Sequence, residues 1–321
     1  MFSFEELTKQ FAQRFNTRHF PGTVASLYEP AEYFLSMGGK RVRPVMCLMA
    51  NELFGDIYPD AWHVADAIEL FHNFTLIHDD IMDKATLRRG MQTVHAKYNE
   101  PTALLAGDVM MITSYECLSK INAPYLHKLM NIFNKTAKEL CEGQQLDMDF
   151  EKRDNVTLEE YLHMITLKTS VLLAASLQMG AIIGGSGEGN QDLIYEFGKN
   201  LGIAFQVQDD YLDAFGDPQK FGKQPGGDIL ANKKTFLLIH ALEVASASQK
   251  KELLGLISGN APDKVAKTLQ IFRDSKVDSW SKDLKDKYLD IALKHLDDIA
   301  VISSRKKPLQ ELAGFLVQRE Y

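Results

Sequence analysis

Two segments of the chain end in the same arrangement of aspartates. The first reads FTLIHDDIMD and the second AFQVQDDYLD, and their carboxylates belong to Asp79, Asp80 and Asp83 and to Asp209, Asp210 and Asp213. Residues four apart share one face of a helix, so each segment places three carboxylates side by side. Such carboxylates repel one another unless a cation lies between them, and oxygen ligands with open positions suit Mg²⁺ shared with phosphate. The spacing predicts a metal site at the end of each segment.

A solvated acidic face is the alternative for either motif alone. Asp297 and Asp298, with Val301 at the fifth position, are interpreted as such a surface. The two full motifs differ from this pair because both follow apolar segments and both precede basic loops. Together they favour metal binding.

Basic residues stand beside glycines at several places. The segment 38–44 reads GGKRVRP, and Arg88-Arg89-Gly90 follows Asp83 by five residues. Two glycines let the backbone approach a ligand closely, and guanidinium groups grip phosphate oxygens. A helix-start loop with surface charges is the alternative for 38–44. Further candidates are Lys168 and Thr169 on a helix, and Lys223 and Lys233 flanking Gly226-Gly227-Asp228, a loop that could close as a lid.

The remaining pattern is helical. Apolar residues recur at three- and four-residue spacing, as in Trp280, Leu284, Tyr288 and Ile291, and Thr157-Leu-Glu-Glu160 is a capping box. No convincing run of strands and no linker interrupts the 321 residues. We expect an all-α chain of about a dozen helices that forms one domain over residues 1–321.

Composition excludes several classes of protein. A net charge of −7 argues against general nucleic-acid binding, so the local basic clusters favour small anionic ligands. Three scattered cysteines argue against a disulfide framework and a zinc site. The N-terminal segment has no signal-peptide pattern, and the apolar stretch 170–185 is short for a membrane span and contains Gln178. We expect a cytoplasmic protein without a membrane span.

The motifs as a set resemble one known family. GGKRVRP, HDDIMD, LRRG, AGD at 106–108, KT, FQVQDD with YLD, and GGD followed by KKT stand in the order typical of the trans-prenyl diphosphate synthases, over roughly residues 36–235. The resemblance implies a helical bundle of the isoprenoid synthase type around a deep central cavity. It further implies a homodimer, with the two aspartate motifs facing each other across the cavity mouth.

The resemblance also implies roles for individual residues. The six aspartates would bind Mg²⁺, three ions with substrate present. The allylic diphosphate would be held by Arg88, Lys168, Thr169, Gln206, Lys223 and Lys233, and isopentenyl diphosphate by Lys40, Arg43, His72 and Arg89. Arg41 stays open, and His72 has an alternative interpretation as a satisfied helix histidine. The residues expected to be catalytic are Asp79, Asp80, Asp83, Arg88, Lys168 and Lys233.

The implied reaction is ionisation of the allylic diphosphate, attack on the cation by the double bond of isopentenyl diphosphate, and loss of a proton. Apolar and aromatic walls, Phe205 among the candidates, would exclude water from the cation.

Phe74 and Thr75 are candidates for setting product length. Phe74 lies five residues before Asp79, about 7 Å deeper along a helix, where an aromatic side chain resembles a cavity floor. Thr75 is small, and the first motif lacks the DDxxxxD insertion of common bacterial farnesyl enzymes. These features favour a twenty-carbon product, geranylgeranyl diphosphate, over farnesyl or longer products. The alternative is that Phe74 is ordinary core.

Two other functions are the alternatives for such motifs. A terpene cyclase shares the helical fold but needs no isopentenyl site, and a non-catalytic synthase subunit is expected to have lost aspartates from one motif. Paired, intact motifs with GGKRVRP argue against both. A purely structural helical protein would not explain two acidic clusters matched by basic loops.

Overall fold

The computed structural model describes residues 1–216, 226–259 and 261–318. Within these ranges the chain forms sixteen α-helices, one π-helical turn and one two-stranded sheet, which confirms the all-α prediction. The chain divides into two compact units. The first contains Met1–Phe133 and Ser176–Asp192, and the second contains Asn134–Ala175 and Leu193–Tyr321.

The elements of the first unit follow one another closely along the chain. They are α1 (Phe4–Phe15), α2 (Ala25–Ser36), α3 (Val42–Phe54), α4 (Pro59–Met82), β1 (Leu87–Arg88), β2 (Met91–Gln92), α5 (Val94–Lys97) and α6 (Glu100–Leu118). Three long helices have one end in each unit: α7 (Ala123–Glu151), α9 (Val171–Ile183) and α10 (Glu188–Phe215).

The second unit adds shorter helices. They are α8 (Leu158–Ile165), the π-helical turn Thr166–Ser170, α11 (Gly227–Leu230), α12 (Phe236–Val244), α13 (Ala247–Ser258), α14 (Lys264–Asp274), α15 (Val277–Asp298) and α16 (Ser303–Gln318). The capping box predicted at Thr157 is present: Glu160 N–H donates to Thr157 Oγ1 at 3.2 Å, and Thr157 N–H donates to Glu160 Oε2 at 2.9 Å.

Helix α3 is the central helix of the first unit. All ten residues from Pro44 to Leu53 are buried. Gly180 of α9 crosses it so closely that a Cβ there would lie 2.0 Å from the Cys47 carbonyl oxygen, and Asn51 Nδ2 donates to the Gly180 carbonyl at 3.1 Å. Only glycine permits this backbone contact.

Helices α4 and α6 also pack closely, and the reason lies in the AGD segment. A Cβ at Gly107 would lie 2.3 Å from His78 Nε2, so the absent side chain makes room for the imidazole. The same nitrogen is 3.1 Å from the Leu104 carbonyl oxygen. Gly107 thereby fixes the position of α4 just before its first aspartate.

The core of the second unit is aromatic and aliphatic. Phe150, Tyr161, Phe236 and Phe272 belong to one buried cluster, and Trp280 packs against it. The stripe predicted on α15 therefore does face the core. Asp297 and Asp298 are exposed at the end of that helix, as expected for a solvated acidic pair.

One helical stretch among the described residues, Leu158–Ile183, is long and apolar enough to cross a membrane by length and composition. In its most apolar window, 72% of the residues are buried inside the protein. Core helices of soluble proteins share this composition, so the stretch is weak evidence for a span.

Candidate active site

Each aspartate motif lies at the carboxyl end of a long helix, as the sequence predicted. Helix α4 ends at Met82 with Asp83 as its C-cap, and α10 extends two residues beyond Asp213. Asp80 is 2% exposed and Asp210 is 6% exposed, whereas Asp83 is exposed. The burial of one carboxylate in each motif requires a compensating partner.

The partner of Asp80 is Arg88. Arg88 Nε donates to Asp80 Oδ2 at 2.8 Å and Oδ1 at 3.0 Å, and its Nη2 lies 2.8 Å from Oδ1. Strands β1 and β2 return Arg88 to this position through a two-residue turn, in which Arg89 and Gly90 have φ of 52° and 76°. No run of strands was predicted from the sequence, and this short hairpin is an addition to that prediction. The hairpin forms because Gly90 tolerates the positive φ that such a turn requires.

Arg89 occupies the space beside the two glycines of GGKRVRP. Its Nη1 donates to the Gly38 carbonyl, and a Cβ at Gly39 would lie 3.0 Å from its Nη2. Gly39 has φ of +152°, a conformation that other residues rarely adopt. The expected close approach is thus made by a guanidinium group of the chain itself.

The charges of four arginines act on His72. Arg43 Nη1 lies 3.1 Å from His72 Nε2, and the pKa of His72 is well below its ordinary value because of burial and the charges of Arg43, Arg89, Arg88 and Arg41. An arginine only donates, so Nε2 is the unprotonated, accepting nitrogen. Burial also lowers the pKa of Arg43 to about 10, against the opposing charge of Glu69. Arg43 Nε is buried without a hydrogen-bond partner.

Arg41, whose role the sequence left open, forms an ion pair inside the protein. Its Nη1 donates to Glu69 Oε1, and the two residues are 5% and 3% exposed. Asn73 Nδ2 donates to the same carboxylate oxygen at 3.0 Å. Glu69 and Asn73 were missed, although polar residues within the apolar face of α4 were a signal for them. Lys40 is exposed.

Phe74 belongs to a row of rings. Its ring centroid is 5.3 Å from that of Phe71 and 4.8 Å from that of His78. Thr75 Oγ1 donates to the His72 carbonyl at 2.8 Å. Both Phe74 and Thr75 are half-buried, and their effect on product length stays a prediction.

The second unit contains a polar cavity of about 170 Å³. Five predicted residues line it: Lys168, Thr169, Gln206, Asp210 and Lys233. The lining residues that sequence reasoning missed are Asp147, Tyr161, Met164, Ile165, Asp228, Lys234 and Thr235. Asp228 and Lys234 lie within the quoted GGD and KKT motifs, which was the available signal. Lys223 lies outside the described residues.

A chain of hydrogen bonds holds Asp210 at this cavity. Thr169 Oγ1 donates to Gln206 Oε1 at 3.2 Å, Gln206 Nε2 donates to Asp210 Oδ1 at 2.8 Å, and the Tyr161 hydroxyl donates to Asp210 Oδ2. Burial and then the negative charge of Asp228 raise the pKa of Asp210 to about 7. Burial and Asp210 hold the pKa of Tyr161 well above its ordinary value.

Lys168 projects from the π-helical turn. Its Nζ lies 2.5 Å from Asp147 Oδ2. A Cβ at Gly143 would lie 2.4 Å from the Lys168 backbone nitrogen, and a Cβ at Gly202 would lie 2.7 Å from Ser170 Cα. Two glycines, on α7 and α10, therefore let the widened turn sit close to both helices. Such turns are frequent at functional sites.

The start of α11 is bound to the second aspartate motif. Asp228 N–H donates to Asp213 Oδ2 at 2.9 Å, and Gly226 N–H donates to the Asp213 carbonyl at 2.6 Å. Lys233 Nζ lies 3.8 Å from Asp228 Oδ1. Asp213 thus positions the start of α11 as well as being a predicted ligand.

The donor set suits Mg²⁺. In the second unit, Asp210 and Asp228 line the same cavity, and burial together with the charge of Asp228 raises the pKa of Asp210. A divalent cation there would stabilise both carboxylates in their charged form. Across the described ranges, no three His, Cys, Asp or Glu side chains by themselves form a metal-holding group. Mg²⁺ is commonly bound by one or two carboxylates, with water and substrate phosphates completing its shell.

Carboxylates that suit Mg²⁺, next to clustered cations on an all-α scaffold, define a protein that binds phosphate esters of small molecules. The polyprenyl synthetase family model matches residues 24–274. The chain is 38% identical to the geranylgeranyl diphosphate synthase of Methanosarcina mazei, over 92% of this chain and 90% of that protein. It is 39% identical to the short chain isoprenyl diphosphate synthase of Methanocaldococcus jannaschii, with the same shares covered.

A solved structure is similarly close. A crystal structure of a geranylgeranyl pyrophosphate synthase matches with a TM-score of 0.94 and 42% identity, covering 100% of both chains. The chain therefore belongs to the polyprenyl synthetase family, the trans-prenyl diphosphate synthases, and is a prenyltransferase.

Proposed function

We propose that this prenyltransferase condenses isopentenyl diphosphate with an allylic diphosphate to make geranylgeranyl diphosphate. The observation that carries the proposal is the basic cluster of the first unit, in which Arg43 contacts His72, Arg88 pairs with the buried Asp80 and Arg89 lies against Gly38. Arg41 completes this cluster of four arginines through its pair with Glu69. Glu69 and Asp80 balance two of the four charges, so the cluster retains positive charge for an anion. A diphosphate has the charge and the acceptor oxygens to match it.

The proposed roles follow the two clusters. Isopentenyl diphosphate is held by Lys40, Arg43, His72 and Arg89, with the unpartnered Arg43 Nε as a further donor. The allylic diphosphate is held by Arg88, Lys168, Thr169, Gln206, Lys223 and Lys233. The metal ligands are Asp79, Asp80, Asp83, Asp209, Asp210 and Asp213, which together with the substrate would hold three Mg²⁺ ions.

Bound Mg²⁺ would supply positive charge to the departing diphosphate. The cationic side chains of Arg88, Lys168 and Lys233 stabilise the same charge as the allylic C–O bond breaks and its electron pair leaves with the diphosphate. The double bond of isopentenyl diphosphate then attacks the allylic cation. Loss of a proton to the released diphosphate gives the longer chain, so no nucleophile of the protein is required.

The twenty-carbon product is supported by two observations. Two of the three relatives described above have geranylgeranyl products in their names. Phe74 lies five residues before Asp79 on α4, and its ring packs against those of Phe71 and His78. Farnesyl or longer products are the alternative.

We further propose that residues 1–321 form one synthase domain, because the family model spans parts of both units. A homodimer is proposed from the family resemblance. A cytoplasmic location stays a prediction.

The test is to incubate the purified protein with Mg²⁺, labelled isopentenyl diphosphate and, separately, dimethylallyl, geranyl and farnesyl diphosphates. A twenty-carbon product from these primers is expected. No condensation with any primer would contradict the proposal and favour a cyclase, which a single-substrate incubation would detect, or a non-catalytic subunit.

A variant tests the origin of product length. Phe74→Ala is expected to shift the product beyond twenty carbons, because it removes a half-buried ring below the first motif. Phe71→Leu is the control: Phe71 is 2% exposed and packs on Phe74, so this change loosens the same row of rings without removing Phe74. An unchanged product from Phe74→Ala would show that Phe74 is ordinary core.

A further inference from the structure

Lys264 is a lysine in the interior of the second unit. It is 3% exposed, and its ammonium group donates to Asn232 Oδ1 at 2.5 Å, to the Gly259 carbonyl at 3.3 Å and to the Ile257 carbonyl at 3.5 Å. The two carbonyls belong to the end of α13, where the helix dipole is negative. The remaining partner, Asn232, directly precedes Lys233 in the chain.

Local preferences do not explain a lysine at this position. Lys264 is the first residue of α14, where the helix dipole favours an acidic side chain, and Asp263 makes no side-chain capping bond. A buried amine also loses its hydration and its rotamer freedom. A residue that breaks a local rule at such a cost is expected to have a compensating role in the tertiary structure.

The compensating contact is with the 226–233 turn, which contains α11, Asp228 and Lys233. Asn232 has a left-handed backbone with φ of 57°, and Lys233 N–H donates to the Asp228 carbonyl at 3.0 Å. Val265, next to Lys264, packs against Gly226. A Cβ added to Gly226 would lie 2.5 Å from Val265 Cγ1. The first turn of α14 therefore holds both ends of the 226–233 turn.

Lys233 lies between Lys264 and the polar cavity, because it lines a cavity on each side. Lys233 and Thr235 line the 170 Å³ cavity that contains Asp210, and they also line a cavity of about 20 Å³ shared with Asn232 and Lys264. Lys264 contacts Asn232, and Asn232 directly precedes Lys233 in the chain. A change at Lys264 therefore acts next to the backbone of Lys233.

We propose that Lys264 is a positioning residue, which fixes Asn232 in its left-handed conformation and thereby aims Lys233 at the allylic diphosphate. The assignment rests on the proposed function for the identity of the ligand. Lys264 itself does not contact substrate.

The test compares Lys264→Met, which keeps the length of the side chain, with Asn232→Gly, which permits the left-handed backbone but removes the acceptor through which Lys264 fixes it. Both are expected to raise the KM for the allylic diphosphate about tenfold and leave the KM for isopentenyl diphosphate within about twofold. Compared with Lys264→Met, Lys264→Arg is expected to restore part of the affinity for the allylic diphosphate. Arginine retains the positive charge, and the small cavity beside Lys264 gives room for its larger head group.

Lys306→Met is the matched control. Lys306 is 6% exposed in the same unit and donates to the Asp297 carbonyl at 2.5 Å. Its replacement is expected to lower Tm without changing either KM. If Lys264→Met and Asn232→Gly behave like this control, the positioning role is wrong.

A double-mutant cycle with Lys233→Met separates this proposal from the proposed function. Binding of Mg²⁺ with inorganic pyrophosphate is measured by calorimetry for both single variants and the double variant. If Lys264 acts through Lys233, Lys264→Met weakens binding about tenfold in the parent and less than about twofold in Lys233→Met. Equal effects in both backgrounds would overturn the proposal, whereas a parent that binds pyrophosphate but condenses no substrate would overturn only the proposed function.

Discussion

Arg88 and Asp80 form an ion pair within the first aspartate motif region. Asp80 is almost fully buried, and its side-chain oxygens receive three short contacts from one guanidinium. The fixed fork of arginine matches a carboxylate or a phosphate, so the same group can hold Asp80 and stabilise a departing diphosphate.

Replacing Arg88 by Gln is expected to lower kcat/KM by about 10²-fold, because a preorganised cation is lost where charge develops. Steady-state kinetics with a saturating second substrate would measure this. Arg153→Gln is the control, since Arg153 pairs with Glu160 at 2.8 Å on the surface. Equal losses from the two variants would contradict a role for Arg88 in the reaction.

His72 makes the free energy of unfolding depend on pH. Its folded pKa is well below the ordinary 6.5, because of burial and the charges of Arg43, Arg89, Arg88 and Arg41. The unfolded chain therefore takes up a proton near pH 6.5 that the folded chain does not bind. Lowering the pH below that value favours the unfolded state.

The free energy of unfolding of the parent is expected to fall more steeply between pH 6.5 and pH 5 than that of His72→Gln, by at most about 1.4 kcal/mol per pH unit. Glutamine retains an acceptor for Arg43 but does not titrate. Urea unfolding of both proteins across this range is the measurement. Parallel curves would show that His72 contributes nothing to the pH dependence.

At the scale of elements, the π-helical turn depends on contacts that a side chain would prevent. Gly143 of α7 leaves no room for a Cβ beside the backbone of Lys168. The Lys168 ammonium contacts Asp147, which lies four residues after Gly143 on the same helix. The position of Lys168 is thus set by packing of the backbone.

Gly143→Ala is expected to destabilise the protein by about 1–3 kcal/mol, because the added methyl group forces α7 away from the turn. It is also expected to raise the KM for the allylic diphosphate. Denaturant unfolding and kinetics would measure the two effects.

Gly255→Ala on α13 is the control, because nothing lies within 4 Å of a Cβ at that exposed position. It is expected to stabilise the protein by about 0.5–1 kcal/mol through the better helix propensity of alanine. Similar destabilisation by both variants would contradict the explanation by close backbone contact.

At the scale of the whole molecule, Mg²⁺ and a diphosphate are expected to bind as a set. No group of three metal-binding side chains exists among the described residues, so the carboxylates need phosphate oxygens to complete the shell of the ion. Ligands that bind only the folded state raise its stability.

Inorganic pyrophosphate with Mg²⁺ is therefore expected to raise Tm clearly more than either alone, with a gain of about 2.7 kcal/mol when the ligand is at 100 times its Kd. Thermal unfolding at matched ionic strength is the measurement. Chelation with EDTA should remove the gain and abolish condensation. An equal gain from pyrophosphate without Mg²⁺ would contradict shared binding.

The helical class, the capping box at Thr157 and the position of both aspartate motifs at helix ends were predictable from the amino-acid sequence. These features depend on residues within a few positions of one another, so spacing and local chemistry are sufficient to specify them. The family also followed from local motifs, and the comparisons confirmed it.

The pairing of charges became visible only when the helices were packed. Arg41 lies against Glu69, Arg43 against His72, and Asp147, Tyr161 and Asp228 line one cavity with Asp210. These pairings depend on how distant helices cross. Glycines such as Gly107 and Gly143 permit those crossings because they have no side chain. A pattern along one chain records that a glycine is present, but the partner that fills its space is known only when the helices are packed.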